Sequence, residues 1–138
     1  MPVAAAMTVT FFDRGDLANP LNGSELDSVL DLELALRGPA EREALVCELV
    51  GPDGRTLWIG LGGELGYVQY RAGGVVGTRL MAVPRGSRQS QGSAELMLGD
   101  TPTGVPIRYR LTAQLTFQTA AYFLESGGLN PDVSWQAV

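Results

Sequence analysis

The chain has 138 residues, a length that suits one domain, and 45% of them are hydrophobic, too many for a disordered segment. It has no histidine, and all 10 basic residues are arginines; this removes the commonest general acid–base group, most zinc sites, the phosphate-loop lysine and any Schiff base. The formal net charge of −5 disfavours free nucleic acid, because phosphate binding needs a basic face, and makes a basic protein the better electrostatic match.

No run approaches the length of a membrane span. The first residues, "MPVAAAMTVTFF", are apolar but lack the charged start of a signal peptide, so cytoplasmic residence is expected. Residues 7–12 read as a first strand, and 13–23 as a polar loop. Ser24 opens a helix, with Asp27 as its capping-box partner and Leu26, Val29, Leu30 and Leu34 at helical spacing; Gly38 and Pro39 stop it after Arg37. Strands follow at 44–50, 56–61, 64–71 and 75–83. Residues 84–93 form a polar loop, 94–98 a short strand and "GDTPTG" a turn cluster. Residues 105–111 alternate, with Val105, Ile107, Tyr109 and Leu111 on one face. A second helix runs from an N-cap at Thr112 to about Ser126, with an apolar stripe of Phe117, Ala120, Ala121 and Leu124, and Gly127-Gly128 end it. The implied fold is α+β: a mainly antiparallel sheet of six to seven strands, with two helices on one face and the other face open.

The glycine-rich stretch "WIGLGGELGYVQY" raises the possibility of a phosphate loop. Gly60 and Gly62 fit the first pair of a G-x-G-x-x-G pattern, but the third position is Leu65 and a strand follows instead of a helix. The stretch therefore reads as a hairpin with Gly62-Gly63 as its two-residue turn. Serine lacks a histidine base, and the Asp13/Asp16 pair reads as solvated loop acids. Cys47 is alone, so it forms no internal disulfide and reads as a buried thiol in a strand. No cofactor or metal site emerges. A small-ligand or carboxylate-based enzyme using Glu48, Glu64 or Glu95 stays open as an alternative, as does a chaperone-like partner of a secreted protein.

The strand "VPIRYRL", the helix carrying "AAYFLESGG" and the closing "NPDVSW", together with the central "WIGLGGELGYVQY", resemble the immunity proteins of bacterial polymorphic toxin systems, in the family found beside deaminase toxins. The resemblance covers roughly residues 44 to 138, and residues 84–93 have no counterpart in it. It implies a small cytoplasmic antitoxin without catalysis, whose partner is a cognate toxin domain, a zinc-dependent nucleobase deaminase; the zinc then belongs to the toxin.

Alternation places candidate contacts. Leu57, Ile59 and Leu61 face the helices, so Trp58 points to the open face. A Gly62-Gly63 turn pairs Leu61 with Glu64 and puts Trp58 opposite Tyr67, whereas a three-residue turn moves Tyr67 into the core. Tyr70 lies further along the same strand, and Glu64 and Asp100, on turns, supply acidic rim contacts. The alternative for Trp58 is packing under the 84–93 loop or the N-terminal segment. Trp135 is expected to anchor the tail.

Overall fold

The computed structural model describes residues 8–41, 45–62, 65–73, 78–85, 93–98, 101–106 and 109–138. Its strands are β1 (Val9–Asp13), β2 (Glu25–Leu26), β3 (Leu45–Val50), β4 (Thr56–Gly62), β5 (Leu65–Arg71), β6 (Arg79–Pro84), β7 (Ser93–Leu98), β8 (Thr101–Pro106), β9 (Leu111–Thr112) and β10 (Val133–Ala137), with helices α1 (Val29–Glu41) and α2 (Ala113–Ser126). The main sheet has the order β10-β6-β5-β4-β3-β1-β2, and β9 shares the outer edge of β5 with β6. β7 and β8 form a separate hairpin. Each described pairing is antiparallel, and those between sequential strands need only short connections. The fold is α+β, as expected.

Both helices lie on one face. Leu32, Ala35 and Leu36 of α1 and Ala120, Phe123 and Leu124 of α2 close over Phe11, Leu49, Leu57, Ile59 and Val68 of the sheet. Phe11 and Phe123 are fully buried, and each such ring contributes roughly 1.5–3 kcal/mol. α2 packs closely at Gly66, where an added Cβ would stand 2.5 Å from Thr116 Oγ1 and 2.7 Å from the Gly60 carbonyl oxygen. The caps of α2 are those the sequence predicts. Thr112 Oγ1 accepts from Leu115 N at 3.1 Å, and Gly127, at φ 72°, donates its N–H to Phe123 O.

α1 differs from expectation. Ser24 is not its cap: the Ser24 carbonyl accepts from Phe11 N, closing β1 against β2. Ser28 caps instead, its Oγ accepting from Asp31 N at 3.1 Å. The face packed on the sheet is that of Leu32, Ala35 and Leu36, so Leu30 and Leu34 face solvent at 63% and 53% exposure, and Leu26 is buried from β2. The helix runs past Gly38 and Pro39 to Glu41. A residue before proline resists helical angles through clashes at its N–H and its Cβ, and Gly38 lacks the Cβ.

Two further expectations fail in the second half. Residues 101–104 of the "GDTPTG" cluster belong to β8. Residues 107 and 108 of the predicted 105–111 strand lie outside the described set, and Tyr109 and Leu111 do not share a face: Tyr109 joins a cluster with Met81, while Leu111 enters the main core. The predicted 75–83 strand begins at Arg79, and its residues 75–77 lie outside the described set. The tail is itself a strand. β10 pairs along β6, and Trp135 packs against the main core while its Nε1–H donates to Asn130 O at 3.0 Å.

Opposite the helices, one row of side chains crosses six strands: Phe12, Glu48, Trp58, Gln69, Met81 and Gln136 are successive cross-strand partners from β1 to β10. Partners in an antiparallel pair share a face, so this row defines the second surface of the sheet. That surface is not wholly open. Met81 and Tyr109 are buried on it, with Leu65, Tyr67 and Val83 packed against them.

Candidate functional site

The second face carries two arginine–aromatic pairs on either side of Glu48. The Arg14 guanidinium lies 5.0 Å from the centre of the Phe12 ring, and its Nε donates to Glu48 Oε1. The Arg71 guanidinium lies 4.4 Å from the centre of the Trp58 ring, and its Nε donates to Gln69 Oε1 at 2.7 Å. Gln69 Nε2 in turn reaches Met81 Sδ at 3.4 Å. Each stack is worth about 0.5–1 kcal/mol at a partly exposed site. Their larger effect is positional, since a guanidinium held on a ring and by its Nε loses its rotamer freedom before any partner arrives.

Trp58 and Tyr67 share this face, but they are not opposite one another. Gly62 pairs with Leu65, Leu61 with Gly66, Gly60 with Tyr67 and Trp58 with Gln69. The register is two residues away from the expected one, because the connection is Gly63 and Glu64 rather than Gly62-Gly63. An even slip keeps every side chain on its face, so the facing argument survives while the pair does not. Tyr67 lies across Gly60, where an added Cβ would stand 2.0 Å from its Cε1. Burial holds the Tyr67 hydroxyl above its ordinary pKa, against the opposing pull of Arg71.

Tyr70 pairs with Leu57 and packs against the helix-side core, so it stands on the opposite face from Trp58 and Tyr67. Glu64 and Asp100 lie outside the described residues, as does most of the 84–93 loop. Arg14, Gln69 and Arg71 were not foreseen as members of this surface. A usable signal was present: Tyr67, Gln69 and Arg71 alternate along one strand, and that strand's face was already assigned.

Chemically, the face suits recognition. Glu48 is nearly buried and ion-paired with Arg14. Glu95 is placed on β7. Among the described residues no group of three or more potential ligands is arranged to hold a metal ion. No described helix is long and apolar enough to cross a membrane. In comparisons with known proteins, no family model matches the sequence and no curated protein matches it.

Proposed function

We propose that this chain is an immunity protein: it binds a cognate toxin domain, a zinc-dependent nucleobase deaminase, and blocks its active site or nucleic-acid groove. The observation that supports this most is the second sheet face, where Trp58, Tyr67 and Arg71 stand together, half-buried, on the strand pair that resembles the immunity family. Aromatic and arginine side chains are the ones enriched at the centres of protein interfaces. On this reading the chain needs no cofactor and does no catalysis. It works in the cytoplasm, where such a toxin would meet nucleic acid, and engages neither nucleic acid nor membrane itself. The net charge of −5 suits a basic, DNA-gripping partner.

The test is co-expression with the deaminase domain encoded beside this chain, scoring survival of the host and a 1:1 complex on gel filtration. Protection together with the complex is the expected result. A toxin that kills regardless, and elutes alone, removes the assignment.

A further inference from the structure

Arg71 differs in its company from three other arginines. Arg14 pairs with Glu48, Arg37 with Glu33 and Arg55 with Asp53. Among the described residues Arg71 has no carboxylate partner; its guanidinium stacks on the Trp58 ring, donates to the neutral Gln69 oxygen and lies close enough to Tyr67 to act on its hydroxyl. Gln69 takes the Nε–H and adds no compensating charge. The stack and this bond fix the guanidinium plane and leave the two Nη groups, with four N–H donors, unbonded among the described residues. Arg79, the exposed cross-strand partner of Arg71 on β6, adds positive charge beside it.

The geometry points to Arg71 as the receptor for one carboxylate, an aspartate or glutamate side chain of the partner protein, held bidentately on the two Nη groups with Trp58 behind. This rests on the binding reading above and names the chemistry at its centre. A stacked guanidinium with its Nε occupied presents the parallel donor pair that a carboxylate matches. A nucleic-acid phosphate offers similar oxygens, but a polyanion is repelled by a chain of net charge −5, whereas a single acidic side chain on a basic toxin is not.

The first arm needs no toxin. The peptide Ac-Ala-Glu-Ala-NH2 is titrated into the full chain while arginine Nε and tryptophan indole signals are followed by NMR. The Arg71 Nε and Trp58 indole signals are expected to shift saturably, about threefold further than those of Arg37 and Arg55, which already hold carboxylates. The glutamine analogue of the peptide should leave them unmoved. Equal shifts at all arginines, a response to the analogue, or tighter binding of a short DNA duplex than of the peptide overturns the assignment. In the second arm the cognate toxin domain is bound to Arg71→Ala and Arg71→Lys chains of unchanged melting temperature. Arg71→Ala should weaken binding by about 30-fold, and Arg71→Lys should not restore it. Affinity of Arg71→Ala within about threefold of the wild type overturns it equally. A wild-type chain that binds no toxin removes the immunity reading instead, and the peptide arm then decides this one alone.

Discussion

The Tyr67 ring fills the volume that a side chain at Gly60 would need: a Cβ built there stands 2.0 Å from Tyr67 Cε1 and 2.6 Å from Cδ1. The two residues are direct cross-strand partners on β4 and β5. Gly60 thus gives up the packing a side chain brings to a strand, and the aromatic ring covers the exposed backbone in return.

Gly60→Ala should therefore destabilise the fold by about 1–3 kcal/mol, the range of overpacking, by forcing Tyr67 off its seat. Tyr67→Ala in the same chain should recover part of that loss, since the clash goes with the ring. Urea unfolding of the two single variants and the double variant measures the coupling. Additive losses would show that the two side chains do not compete for this space.

Asp13 is buried, yet its carboxylate accepts from Gly15 N, Asp16 N and Asn19 Nδ2 and so ties down the loop that follows β1. Asp13→Ala leaves three donors without that acceptor. It should cost about 1–3 kcal/mol and raise amide exchange through residues 14–22 before the rest of the sheet. Uniform exchange across the chain would mean that the loop does not depend on this carboxylate.

The parts of the fold legible in the sequence are those set by short-range chemistry. Thr112 and Gly127 cap α2 because a hydroxyl acceptor and a left-handed glycine satisfy the helix ends locally. The facing of Trp58 follows from strict alternation in β4. Register was harder, since three consecutive candidates, Gly62, Gly63 and Glu64, allow turns that differ by one residue at each end, and long-range pairing decides among them. The start of α1 was ambiguous for a similar reason. Ser24, Asp27 and Ser28 are all acceptable caps, and the choice of Ser28 rests on Glu25 and Leu26 pairing with β1, a contact no local pattern encodes. The Arg71–Trp58 stack needs the β4–β5 register before it can be seen at all.

Cys47 gives a pH prediction. Burial pushes its thiol far above the ordinary range, and the neighbouring Asp13 and Glu48 charges push the same way. The folded chain therefore keeps a proton that the unfolded chain surrenders. The resulting stabilisation is complete below the unfolded value of about 8.5 and is lost progressively as pH rises above it. Unfolding free energy should fall between about pH 8.5 and 10 in the wild type, and fall less in Cys47→Ala, where Tyr67 remains as a raised alkaline group. The native thiol should also resist Ellman's reagent until the chain unfolds. Rapid labelling of the native chain, or identical alkaline slopes for both proteins, contradicts this account.

Trp135 separates the stability of the tail from binding. Its ring packs on the helix-side core, and its indole N–H donates to Asn130 O. Asn130 is itself buried, with Nδ2 on Thr119 Oγ1 and Oδ1 accepting from Asp132 N. The tail is thus fixed from the core outward: α2 holds Asn130, Asn130 holds Trp135, and Trp135 sets β10 along β6. Because the ring is only partly buried, Trp135→Ala should cost about 2–3 kcal/mol, less than a fully enclosed ring loses. Trp135→Phe keeps the apolar contact and loses the hydrogen bond, so it should cost about 1 kcal/mol. Neither change touches the face that carries Trp58 and Arg71. At temperatures where the variants stay folded, toxin affinity should therefore match the wild type, measured by calorimetry beside a melting curve. A Trp135→Phe chain that melts normally but loses the toxin would move the interface to the β10 edge.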